Sequence, residues 1–155
     1  MAYATTVERT SDRELVVTRT FNAPPRIVFE AWTRADLFRR WWIPQSLGMV
    51  LRSCEMDVRV GGTYRLVFEP EGMAFFGTYL EVDPPSRLVW TNEEGGEAGP
   101  VTTVTFEAQG DKTLLVLREL HPSKDALDAA GTGAAEALVE TFAQLDALLL
   151  ASNAS

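Results

Sequence analysis

Between Met49 and Glu119 the chain consists almost wholly of short stretches in which apolar and polar residues alternate, each ended by residues that turn a chain. Successive side chains on a strand point to opposite faces, so this alternation marks a sheet with one wet face and one dry face. The stretches are Val50 to Val58, Thr63 to Glu69, Ala74 to Val82, Arg87 to Thr91, Val101 to Ala108 and Thr113 to Glu119. Between them stand Gly61-Gly62, Pro70-Glu71-Gly72, Pro84-Pro85-Ser86, Glu94-Gly95-Gly96 and Gly110-Asp111, which supply the positive or fixed φ of hairpin connections. Connections this short join antiparallel neighbours, so the segment is predicted to be a meander. A sheet with one apolar face needs something to cover it.

The cover is expected after Pro122, where the period changes. Leu127, Ala130, Ala134, Leu138, Phe142, Leu145 and Leu149 fall on one helical stripe, with Asp125, Asp128, Thr132, Glu136, Glu140 and Gln144 roughly opposite. This predicts one long C-terminal helix. Gly131 and Gly133 each oppose helix by about 1 kcal/mol relative to alanine, so a kink or restart is expected there.

Ahead of the meander, Arg13 to Phe21 alternates and predicts a first strand. Pro24 and Pro25 preset φ for a helix start, and Ile27, Val28, Ala31 and Trp32 form its buried stripe. Thr33 is expected to cap a second short helix, with Asp36 in its first turn and Leu37, Phe38, Trp41 and Trp42 before Pro44. The chain is therefore predicted to be one α+β domain, a curved antiparallel sheet of about seven strands carrying two short helices and a long C-terminal helix. Residues 13–151 are expected to form it, with 1–12 a loose polar lead-in and 152–155 a frayed end.

Several function classes are excluded by what is scarce. Cys54 is the single cysteine and His121 the single histidine, so neither an internal disulfide nor a histidine-cysteine zinc cluster can be read, and no metal or other cofactor is expected. No Gly-x-Ser-x-Gly elbow is present, which removes the usual hydrolase signature. A net charge of −8 disfavours phosphate backbones and anionic lipid, so no nucleic-acid or membrane partner is expected. The apolar runs are too short to cross a bilayer, and the chain is read as cytoplasmic.

Local strings add a family resemblance. They are Arg19-Thr20-Phe21-Asn22-Ala23-Pro24, Val28-Phe29-Glu30-Ala31-Trp32-Thr33, Trp41-Trp42, Asp57-Val58-Arg59-Val60-Gly61-Gly62, and Gly77-Thr78-Tyr79 leading to Pro84-Pro85-Ser86-Arg87-Leu88-Val89. Together with the element order they resemble the Hsp-90 ATPase activator homologue family of the START-like, polyketide-cyclase-like (SRPBCC) superfamily. The resemblance implies the helix-grip fold and an apolar ligand cavity between sheet and long helix. Members commonly carry a Gly-Trp pair where this chain reads Gly133-Ala134, which implies extra room beside Ala134.

If the face of Tyr64, Leu66 and Phe68 points inward, such a pocket would also be lined by Met56, Trp90, Leu117, Glu119, Ala134, Leu138 and Phe142. The leading reading is a non-catalytic binding domain for an apolar or aromatic small molecule. The alternatives are a cyclase- or hydrolase-like enzyme on the same cavity, and a co-chaperone-like domain that engages a protein partner through Trp41 and Trp42.

No residue is assigned a catalytic role. Glu119 continues the inward alternation of Leu115 and Leu117, but Arg65 and Arg118 fall on opposite faces of their strands, so the plainer reading is a solvated strand end. His121 reads as a solvated loop residue, Cys54 as a small core hydrophobe, and the turn with Glu93, Glu94 and Glu97 as a solvated hairpin tip.

Overall fold

The fold is described from a computed structural model for residues 4–69, 74–93, 99–130 and 133–154, excluding the side chains of residues 47, 130, 133–136 and 151–154. The expected turns at Pro70-Glu71-Gly72 and Glu94-Gly95-Gly96 lie outside the described residues, as do Gly131, Glu94 and Glu97 of the acidic turn, and the side chain of Ala134.

The strands are β1 Thr6–Arg9, β2 Glu14–Phe21, β3 Val50–Met56, β4 Thr63–Glu69, β5 Ala74–Asp83, β6 Arg87–Thr91, β7 Val101–Gln109 and β8 Lys112–Leu120. They form one curved eight-stranded sheet in the order β1-β2-β8-β7-β6-β5-β4-β3, every neighbouring pair antiparallel. The strand beyond the expected seven is β1, in the polar stretch read as a lead-in. Its short, exposed pattern gives little apolar alternation, and it is held by pairing to β2 at the sheet edge.

Helices α1 (Pro25–Thr33) and α2 (Ala35–Trp41) form the predicted hairpin and carry the chain from β2, near one edge, to β3 at the other. Pro25 opens α1, and Val28, Phe29, Ala31 and Trp32 are its buried stripe. The expected Thr33 cap is not made. Thr33 is the last residue of α1 and its hydroxyl donates to the Phe29 carbonyl at 2.9 Å, while Arg34 opens α2 without a side-chain cap. The C-terminal helical residues are described as α3 (Lys124–Ala130) and α4 (Gly133–Ala154), and the kink or restart expected at Gly131 and Gly133 involves positions outside the described residues.

The core joins both layers. Phe142 and Leu145 of α4 are completely buried, and Phe142 meets Phe21 edge-on at 5.6 Å and Trp32 at 6.1 Å. A buried charged pair crosses between layers, Arg19 of β2 to Asp146 of α4 at 3.4 Å, with side chains only 5% and 6% exposed, while the more exposed Arg9 of β1 meets Asp128 of α3 at 2.8 Å. Among the described residues no helix is long and apolar enough to cross a membrane.

Candidate functional site

Helix α4 packs chiefly on β1, β2, α1 and α2, and so covers one side of the inner sheet face. Over the rest lies a cavity of about 770 Å³, walled by β3 to β8 on the sheet side and by α1, α2, α3 and α4 on the helix side. Alternation puts Tyr64, Leu66 and Phe68 of β4, Trp90 of β6 and Leu117 and Glu119 of β8 on that inner face, and all of them line the cavity, joined by Met56 of β3 and Leu138 of α4. Phe142 does not line it; this residue is fully buried behind the wall, among Phe21, Trp32 and Trp41.

The helix side is aromatic. Trp32, Phe38 and Trp42 line the cavity, with Trp42 stacked on Phe38 at 4.8 Å and Trp32 facing Trp90 at 5.9 Å. Trp41 is wholly buried, its indole N–H donated to the Ala31 carbonyl at 3.0 Å. Of the Trp41-Trp42 pair, one ring is in the core and the other, partly buried, lines the cavity.

One end of the wall is polar. Gly77 of β5 brings the backbone close: an added Cβ would lie 1.9 Å from the Thr91 carbonyl oxygen and 2.9 Å from the Tyr64 ring. Across this contact the Tyr64 hydroxyl donates to the Thr91 carbonyl at 2.7 Å. The Asn92 amide nitrogen donates to the Pro100 carbonyl and to Thr102 Oγ1, both at 2.9 Å. Thr102 is the cross-strand partner of Glu119, and Asn92 and Thr102 both line the cavity.

Glu119 does have a partner. His121 Nε2 lies 2.6 Å from its Oε1, with the two side chains 4% and 23% exposed. The solvated-loop reading of His121 is corrected on the same ground: its backbone N–H donates to the Arg13 carbonyl at 2.7 Å and its carbonyl accepts from Arg13 Nε at 2.9 Å, which folds the ring under the strand end. The residues missed from sequence include Asn92 and Thr102. Extending the alternation of Leu88 and Trp90 by one step, and that of Phe106 and Val104 back by one, reaches both.

Burial tunes two nearby groups. The Tyr79 phenol, also on the cavity wall, is pushed well above the ordinary range by burial, with the charges of Cys54 and Asp57 adding to it. Burial likewise raises the Cys54 thiol, with Arg39 acting the other way, and its Sγ sits 3.5 Å from Met56 Sδ. Cys54 packs against the core, as a small hydrophobe would. Among the described residues no group of three or more histidine, cysteine, aspartate or glutamate side chains is placed to hold a metal ion.

Comparison with known proteins matches the arrangement to a family. The family model described as "Activator of Hsp90 ATPase homolog 1-like protein" matches residues 22–150. Similar solved structures include a Rhodobacter sphaeroides protein, 25% identical over 95% of this chain and 98% of its own with a TM-score of 0.83. Another from Chromobacterium violaceum is 27% identical over 89% and 97%, TM-score 0.73. A third, from Nitrosomonas europaea, is 23% identical over 95% and 100%, TM-score 0.79, a likeness of fold alone. No curated protein matched.

Proposed function

The chain belongs to the Activator of Hsp90 ATPase homolog 1-like family, and on that premise we propose that it is a non-catalytic binding domain whose cavity takes an apolar or aromatic small molecule. The observation that carries this reading is the cavity of about 770 Å³, within the size range of small-molecule sites and walled by aromatic and aliphatic side chains with a few polar groups at one end. Small-molecule sites have this composition because apolar walls supply most of the binding energy and a few polar groups fix orientation.

A ligand that binds only the folded chain at a hundred times its dissociation constant adds about 2.7 kcal/mol of stability. For a chain of this length that raises the melting temperature by roughly 5–10 °C. A melting screen against bicyclic and tricyclic aromatics and medium-chain fatty acids should return such shifts. Replacing Leu66, at the centre of the wall, by aspartate should remove them. Flat melts across the panel would refute the reading.

Catalysis on the same cavity is the second reading, and the Glu119–His121 pair is the observation in its favour, since a carboxylate and an imidazole in contact can share a proton. Binding remains preferred. Cys54 is off the wall with a raised thiol, and the hydroxyls of Tyr64 and Thr141 donate to backbone carbonyls rather than being activated by a base.

A further inference from the structure

We propose that the Glu119 carboxylate, held in place by His121, is the recognition point for a hydroxyl group on an aromatic ligand, so that the cavity selects phenols and naphthols over hydrocarbons and aryl ethers. This deepens the binding reading above and rests on it.

At the polar end the donors of Asn92 and Tyr64 are already spent. Both Asn92 amide hydrogens are used, on the Pro100 carbonyl and Thr102 Oγ1, and the Tyr64 hydroxyl hydrogen is used on the Thr91 carbonyl. Glu119 Oε1 is engaged by His121 Nε2 at 2.6 Å. Its second oxygen has no hydrogen-bond partner among the described residues, although Glu119 lines the cavity with its side chain only 23% exposed. A carboxylate can accept at both oxygens, and this second one is open to the cavity rather than sealed in the core. The chemistry that completes the site is therefore a donor brought by the ligand. One vacant oxygen matches one hydroxyl, whereas an ammonium would have to leave its hydration shell with its remaining hydrogens unpaired among apolar walls.

The site is held before any ligand arrives. His121 is bonded through both its backbone N–H and its carbonyl to Arg13 at the start of β2, and its ring is nearly inaccessible. This sets the imidazole against the carboxylate at 2.6 Å. The ring that bears the hydroxyl has its own partners in Trp90 and Trp32, whose centroids lie 5.9 Å apart on the wall. His121 acts as a positioning residue and Glu119 as the binding one.

The test compares 2-naphthol with 2-methoxynaphthalene, which has the same rings but no donor, by calorimetric titration of the parent and of Glu119→Leu. A hydrogen bond to a charged acceptor favours 2-naphthol by roughly ten- to a hundred-fold in the parent. That preference should vanish in Glu119→Leu while 2-methoxynaphthalene still binds, which shows that the variant keeps its cavity. Because His121 is the chain's single histidine, its imidazole 15N resonances need no assignment, and they should move with 2-naphthol and stay nearly still with the ether. Equal affinities in the parent would overturn hydroxyl recognition and leave cavity binding standing. A preference that persists in Glu119→Leu would overturn the assignment to Glu119. Tighter binding of (2-naphthyl)methylammonium than of 2-naphthol would replace the hydroxyl by a cation, and failure of all three probes to bind would remove the inference together with the cavity reading beneath it.

Discussion

Replacing Asp146 by alanine should unfold this chain far more readily than replacing Asp146 and Arg19 together by apolar residues. Arg19 and Asp146 meet at 3.4 Å with side chains 5% and 6% exposed, so each charge is nearly stripped of water. The rest of the setting compensates only in part. Arg19 Nη1 donates to Thr5 Oγ1 at 3.1 Å and the guanidinium lies 5.5 Å from the Phe21 ring, but Arg19 Nε and Asp146 Oδ1 have no partner among the described residues.

Removing one member of such a pair leaves an uncompensated buried charge and costs about 3–5 kcal/mol, whereas replacing both by well-packed apolar groups is often neutral or stabilising by about 1–4 kcal/mol. Asp146→Ala and Arg19→Met should therefore each lower the melting temperature by about 10–15 °C at roughly 3 °C per kcal/mol. The double variant Arg19→Met/Asp146→Leu should melt at or above the parent. Urea denaturation followed by circular dichroism gives the free energies, with an unchanged denaturant slope confirming that the same transition is compared. The reasoning fails if either single variant loses less than about 1 kcal/mol, or if the double loses the sum of the two singles, since independent residues add.

Two further outcomes follow from the core and the cavity wall. Phe142→Ala removes a fully buried ring that touches Phe21, Trp32 and Trp41, and should cost about 3–5 kcal/mol in urea titration; a loss below about 1 kcal/mol would mean that α4 presents a different face to the sheet. Tyr79 stays neutral in the folded chain at pH values where an unfolded tyrosine, near about 10, has ionised, so its stabilisation is complete below that value and is lost as pH rises past it. The unfolding free energy of the parent should accordingly fall more steeply between about pH 9.5 and 11 than that of Tyr79→Phe, and parallel curves would show that the phenol is not buried as described.

The order of elements was legible because period and punctuation agreed. Thr63 to Glu69 and Arg87 to Thr91 were bounded to the residue, the first because it alternates between Gly62 and Pro70, the second because the Pro84-Pro85-Ser86 turn sets its start. The same alternation brought Tyr64, Leu66, Trp90 and Leu117 onto one wall. β1 escaped because an edge strand held by backbone pairing needs no apolar face, and the Thr33 cap failed because a hydroxyl inside a helix bonds back to the preceding turn as readily as it caps the next one. The Glu119–His121 contact was hidden for a different reason. The chain leaves the sheet between them, and it is the pair of backbone bonds to Arg13, far away in sequence, that turns the imidazole back onto the carboxylate. Alternation reports which face a strand residue takes and carries no information beyond the strand's last residue.

The cavity itself follows from a mismatch of widths. Eight strands spaced about 4.8 Å apart span roughly 34 Å before curvature, while a helix with its side chains is about 10 Å across, so α4 can shield only two or three strands. It takes β1 and β2, where Arg19 and Phe21 hold it, and the hairpin of α1 and α2 takes β7, β8 and β3. β4, β5 and β6 are left with an apolar inner face and no helix seated on it. Filling that gap needs large side chains, and Tyr64, Phe68, Phe75, Tyr79 and Trp90 are the ones supplied, yet rings anchored on a concave sheet diverge from the helices opposite and leave about 770 Å³ between the layers. The α4 segment that carries Ala137, Leu138 and Thr141 forms the far wall of the gap. Substitutions at Trp90, the partly exposed ring of the β6 wall, should therefore alter which molecules fit more than whether the chain folds, while those along the Phe21–Phe142 seam should do the reverse.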